Sequence, residues 1–336
     1  MVDLAARSKV RAPAVAFALL ALAGIVLLSI AIGSNRLSLD EVLHGLFAYD
    51  GSYADAVIRD DRLPRTLLGV LVGMALGLAG ALMQAITRNP VADPGLLGVN
   101  HGAAVAIVAA SAAFGISAPD QLVWFAFVGA LGGTALVYAV GGGRGAASPI
   151  RLVLAGVAIQ AVFAGINQAM QVINTHNLDQ MRFWLAGSLA NRDVDALGGL
   201  LPFFAAGVVL ALLLGRALNA VALGEDAATG LGANPAVTRL VGMVAVGLLC
   251  AAATAACGPI AFIGLMIPHL VRQLVGQDER WVLVLSLLLG PVLLLGCDVL
   301  GRLVGAPGEV QVGIVTDVVG GLAFLFVARR LRAVRK

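Results

Sequence analysis

Apolar runs long enough to cross a bilayer recur along this chain, with only short polar or Pro/Gly-rich breaks between them. A membrane-spanning helix needs about 20 apolar residues, and 60% hydrophobic residues in a chain of 336 supply roughly ten of them. Charged residues make up 12% of the chain, half of the about 25% that coats a soluble domain. That deficit excludes a soluble enzyme, a disordered chain and a secreted disulfide scaffold. The connectors are too short to hold a separate soluble domain. The expected fold class is an all-α polytopic membrane protein, one transmembrane domain over 1–336.

The runs place spans at 13–32, 64–87, 96–114, 121–140, 150–173, 198–217, 237–256, 258–275, 281–300 and 311–328, the eighth short and broken by Pro259 and Pro268. The first follows Arg7, Lys9 and Arg11. It is longer than the apolar region of a signal peptide, so it reads as a retained helix with its basic end in the cytoplasm. Ten spans then return the C-terminus to the cytoplasm. This topology puts fifteen basic residues inside: Arg7, Lys9, Arg11, Arg88, Arg144, Arg151, Arg216, Arg239, Arg272, Arg280, Arg329, Arg330, Arg332, Arg335 and Lys336. Seven lie outside: Arg36, Arg59, Arg62, Arg65, Arg182, Arg192 and Arg302. The bias follows the positive-inside rule, and an odd count would reverse it at the tail.

Within the spans, Gly69, Gly73 and Gly77 form a G-x-x-x-G-x-x-x-G stripe, with Gly80 one turn on. Such a stripe lets two helix backbones approach closely, within a subunit or between subunits; an ordinary Gly-rich membrane helix carries the same pattern. Asp298 and Asp317 are intramembrane carboxylates, functional by default, although Arg302 one turn from Asp298 offers a local pair near the outer surface. In the fifth span, Gln160, Asn167, Gln168 and Gln171 share a broad helical face. They point to a hydrated path or a partner helix, and uncharged amides suit a bulky polar solute.

Bond chemistry has no visible machinery. The only lysines, Lys9 and Lys336, sit in no phosphate-binding loop, so ATP would have to be hydrolysed elsewhere. His44, His101, His176 and His269 lack ligand spacing. Cys250, Cys257 and Cys297 sit in apolar stretches and form no CxxC pair. A transporter therefore needs either an ion relay through Asp298 and Asp317 or a partner ATPase. The 223–235 loop is a candidate seat for the second: acidic residues open a short helix, and a Gly-rich end with Asn234-Pro235 stops it. A plain connector is the simpler alternative.

Six motifs in order identify a resemblance. They are Arg62-Leu63-Pro64-Arg65 with Gly77–Gln84 and Asn89–Gly98; Arg151–Gly156; Trp184–Leu189; Leu223–Gly232; Gly258–Arg272; and Val312–Thr316. Together they closely resemble the FecCD permeases, the membrane subunits of bacterial ABC importers for ferric siderophores, haem and cobalamin. The resemblance implies a ten-helix type II ABC importer permease in the bacterial plasma (inner) membrane, carrying no cofactor of its own. It further implies a second permease subunit, identical or homologous, two ABC ATPases using ATP and Mg, and an extracytoplasmic binding protein; no nucleic acid is implied. Gly224, Glu225, Ala228, Leu231 and Gly232 match the family's ATPase-coupling element. Arg62, Arg65 and Arg302 match external arginines on which acidic groups of the binding protein dock, a use for which bidentate arginine is suited; anchoring of a helix end by Arg65 is the alternative. After Thr316 the family's Gly-x-Pro-x-Phe is replaced by Gly320-Gly321-Leu322-Ala323-Phe324. A proline-free, more continuous last helix is expected there. Siderophore cargo is favoured over haem or cobalamin.

Overall fold

The computed structural model describes residues 4–33, 38–48, 50–142, 149–173, 184–190, 192 and 194–333. Arg36, Arg144, His176, Arg182, Arg335 and Lys336 lie outside the described residues. Among those described, regular structure is entirely helical. Helix α1 is Leu4–Ala31, and α2 is Leu39–Phe47. A short α3 (Tyr53–Ala56) runs through a π-helical turn, Val57–Arg62, into α4 (Leu63–Thr87). Then follow α5 (Val99–Phe114), α6 (Pro119–Gly142), α7 (Pro149–Ile173), α8 (Val194–Leu213), α9 (Gly215–Ala222) and α10 (Glu225–Gly230). The chain ends with α11 (Pro235–Cys257), α12 (Ile263–Val275), α13 (Glu279–Val304) and α14 (Val312–Ala333). Among the described residues six helices are long and apolar enough to cross a membrane, α8 and α9 reach that length together with a bend of 46° between them, and α5, α12 and α14 are shorter apolar helices. These correspond one for one to the ten expected spans.

Two boundaries differ for the same reason. The third span's α-helix begins at Val99, not 96, and the eighth's at Ile263, not 258; each is preceded by backbone that is not α-helical and is packed within the protein, a setting in which irregular backbone is tolerated at membrane depth. Before α5 stands a 3-10 turn, Pro94–Leu97, opened by Asp93, whose Oδ1 accepts the Gly95 N–H at 2.7 Å. Gln160, near the middle of α7, donates to the Gly95 carbonyl at 2.9 Å, so this turn lies level with the middle of that helix. Thr254 on α11 donates to Asn100 Oδ1 at 3.1 Å beside it. Before α12, Phe262 adopts φ 67°, and the 184–190 segment closes over the break, Ser188 N–H bonding the Cys257 carbonyl at 2.8 Å and Gly187 accepting from Gly313 N–H at 3.1 Å. Helix α14 runs on without a break through Gly320-Gly321, as a proline-free sequence should.

The glycine stripe packs inside the subunit. A Cβ on Gly73 would lie 2.4 Å from Pro291 Cα, and one on Gly77 2.3 Å from the Ser286 carbonyl oxygen, both on α13. One on Gly80 would lie 2.0 Å from the Gly264 oxygen of α12, and Gly69 faces Leu295. Helices α4 and α13 are accordingly the most heavily packed pair in the molecule. Because lipid tails are as apolar as leucine, such backbone contact supplies what hydrophobic burial cannot. Gly73→Val should destabilise the protein by about 1–3 kcal/mol or more, since rigid backbone must yield, whereas Gly296→Val, with nothing within 4 Å, should be near neutral. Thermal unfolding of both variants in detergent checks this.

Candidate functional site

Among the described residues, every arginine–carboxylate pair joins residues that the expected topology puts on one side. Arg65, Asp298, Arg302 and Glu309 meet at the outer end; Arg11, Asp278, Arg239, Glu225, Arg272 and Glu279 meet at the inner end. The even helix count thus organises two polar faces around an apolar middle.

At the outer face, Asp298 is wholly buried between two arginines. Arg65 grips it with Nη2 at 2.7 Å and Nε at 3.1 Å, and its Nη1 reaches Glu309 at 2.6 Å. Arg302, one turn along α13, pairs at 2.9 Å with Oδ2, the oxygen that Arg65 Nε also reaches, and this is the local pair the spacing suggested. Its Nη1 also donates to the carbonyls of Ser29 (2.9 Å) and Ile32 (2.6 Å) at the end of α1. Arg62 donates to Ile30 and Ala31 carbonyls at 2.7 and 2.8 Å. These arginines satisfy carbonyls that the last turn of α1 leaves without helical partners.

The expectation that Arg62, Arg65 and Arg302 are displayed for docking needs correction. They are 3%, 6% and 2% exposed, respectively. A desolvated guanidinium needs a charge and several acceptors, and the fold supplies both from α1 and α13. Asp298 and Asp317 likewise form no relay: the first is enclosed by arginines, while the second is exposed on α14. Asp298→Ala leaves two buried arginines short of a counter-charge. It should cost about 3–5 kcal/mol, read as a lowered unfolding temperature of the purified protein, with Glu309→Gln much milder because Glu309 is partly exposed.

At the inner face, the 223–235 segment folds around α10. Gly224 (φ 119°) and Gly232 (φ 81°) take conformations that side chains resist, which accounts for glycine at both. Ala228 is fully buried, whereas Leu223 and Leu231 are 70% and 67% exposed. Glu225 opens α10 and pairs with Arg239 Nη2 at 2.5 Å; that hydrogen bond and charge hold its carboxyl below the ordinary value. The turn thus leaves two leucines uncovered at this end of the molecule.

The amides of α7 divide. Gln160 and Asn167 face inward, onto the Gly95 carbonyl and, at 3.4 Å, the His101 carbonyl. Gln171 is half-buried, and Gln168 is exposed. Within this subunit Gln160 and Asn167 thus turn to backbone carbonyls, while Gln168, a rotation of about 100° on from Asn167, is uncovered. Much of α7 remains uncovered within this subunit, with Leu154, Val157, Val162 and Ile166 exposed.

Sequence reasoning missed a second inner cluster. Arg272 donates to Gln84 Oε1 at 2.5 Å and to Glu279 at 3.0 Å, and Gln84 donates to the Leu265 carbonyl at 3.1 Å. Asn219 binds Asp278 and the Glu279 N–H, each at 2.8 Å. The one available signal was polar residues at helix ends; their pairing spans up to 188 positions.

Residues 19–330 match the family model described as the FecCD transport family. The chain is 48% identical over 322 residues to the ferric enterobactin transport system permease protein FepD of Escherichia coli, covering 95% of this chain and 96% of that protein. It is 39% identical to the Fe(3+)-citrate import system permease protein YfmD of Bacillus subtilis, covering 91% of each. With the hemin transport system permease protein HmuU of Yersinia pestis it shares 38% identity over 82% of this chain and 83% of that one. Among solved structures, an inward-facing metal-chelate type ABC transporter superposes with TM-score 0.82 at 28% identity, over 94% of this chain and 98% of that one.

Proposed function

The chain belongs to the FecCD transport family, and from this we propose that it is the membrane permease subunit of a bacterial ABC importer for an iron chelate, a ferric siderophore. The observation that carries the reading is identity of 48% with the ferric enterobactin permease over nearly the whole of both chains. Haem and cobalamin are the alternative cargoes. The subunit sits in the plasma (inner) membrane with both termini cytoplasmic, paired with a second permease and two ATPases. An extracytoplasmic binding protein delivers the chelate to its outer face. It makes and breaks no bond of the cargo and binds no cofactor; ATP and Mg act in the partner subunits. Its work is to exchange inward- and outward-facing states according to what each face binds.

The 223–235 turn is the part we assign to the ATPase. Exposed Leu223 and Leu231 suit an apolar groove, and the Glu225–Arg239 pair fixes their orientation against α11. An ATPase that closes on this turn pushes on α9 and α11 together.

The test is uptake into proteoliposomes holding the permease with its ATPase and binding protein, using ferric enterobactin, ferric citrate, haemin and cobalamin as probes. ATP-dependent uptake of ferric enterobactin is expected, and accumulation by the permease alone under a proton or sodium gradient would overturn the reading. Glu225→Arg sets two cations together at the turn; uptake should fall by about tenfold or more while the protein remains inserted.

A further inference from the structure

Resting on the function proposed above, we infer that Asn219 is the positioning residue that makes α13 the rod carrying ATPase movement from the inner to the outer face. Helix α13 has 26 residues, so it is about 39 Å long at 1.5 Å per residue, enough to cross the bilayer. Its two ends are tied to the two faces by different chemistry.

The inner tie is the Asn219 amide. Its Nδ2 donates to Asp278 Oδ1 at 2.8 Å, and its Oδ1 accepts the Glu279 N–H at 2.8 Å. Asp278 is the N-cap of α13, and its side chain also accepts the Arg280 N–H. One side chain of α9 therefore both supplements that cap and satisfies an orphan N–H of the first turn. The backbones are close as well: a Cβ on Gly215 would lie 3.2 Å from Arg280 Cα. Helix α9 leads within two residues into α10, the ATPase contact surface of the proposal above, and it departs from α8 at an angle of 46°. Two directional bonds let it push and pull α13 alike.

From there α13 is helical throughout to Val304; Pro291 removes one of its hydrogen bonds, and the α4 backbone at Gly73 packs directly against that point. Glu279 passes the load sideways through Arg272 and Gln84 to α4 and the start of α12. Along its length α13 meets α4 backbone to backbone at Gly73 and Gly77. At its outer end Asp298 and Arg302 engage Arg65 and the end of α1. A shift at Asn219 must therefore reach the outer cluster, because backbone contacts and buried ion pairs rearrange between discrete states and do not stretch.

The experiment uses the assembled permease–ATPase complex in proteoliposomes with ferric enterobactin, together with a reporter that needs no cargo. That reporter is a fluorophore on Val304→Cys, at the exposed outer end of α13; Cys250, Cys257 and Cys297 are buried. ATP should shift the reporter signal in the unsubstituted complex. Asn219→Leu should abolish the shift and lower uptake about tenfold, while ATP hydrolysis and the amount of assembled complex stay near normal. Asn219→Asp combined with Asp278→Asn exchanges donor and acceptor and should restore both signals. Normal uptake by Asn219→Leu, a parallel fall of uptake, hydrolysis and assembled protein, or no rescue by the exchanged pair would each overturn the inference alone. Failure of the unsubstituted complex to move any of the iron chelates with ATP would overturn the function reading and this inference with it.

Discussion

The contact of α4 with α13 sets the frame for everything else in the molecule. Gly73 and Gly77 bring the two backbones so close that side chains are excluded from the seam. That approach fixes axial register to within a fraction of a turn, because Gly77 must meet the Ser286 carbonyl and Gly73 the Pro291 backbone. With the register fixed, Arg65 falls opposite Asp298 at one end. At the other end Gln84 falls within reach of Arg272, which Glu279 of α13 also holds. A bilayer offers little hydrophobic drive for helices to associate, so packing of this kind decides the arrangement.

The two polar clusters stand in different relations to solvent. Outside, the arginines are enclosed and serve the ends of helices; their charge is consumed within the fold. At the other end, the 223–235 turn is held by an ion pair between buried Arg239 and exposed Glu225 and leaves Leu223 and Leu231 uncovered. Irregular backbone at the 89–98 and 258–262 segments breaks two helices within the membrane and is closed off by Gln160, Asn100, Thr254 and the 184–190 segment. These breaks are where such a scaffold can bend without exposing unpaired amides to lipid.

Membrane class, a helix count of about ten and the family were all legible in the chain, because they follow from local quantities: length of apolar runs and motifs in order. The Asp298–Arg302 pair was legible for the same reason, lying one turn apart. The glycine stripe was visible too, but its partner was not. What the amino acids alone could not decide was whom each side chain meets across the bundle. Arg65 finds Asp298 233 positions away, so matching arginines to an external docking role by position missed their burial. Gln168 and Asn167 are neighbours in the chain yet point apart. Asn219 carries no motif at all, and only the close passage of α9 over the first turn of α13 gives it partners. Local periodicity and composition are short-range and survive in one dimension; burial, pairing and the direction of a side chain depend on helix register, which exists only once the helices have packed.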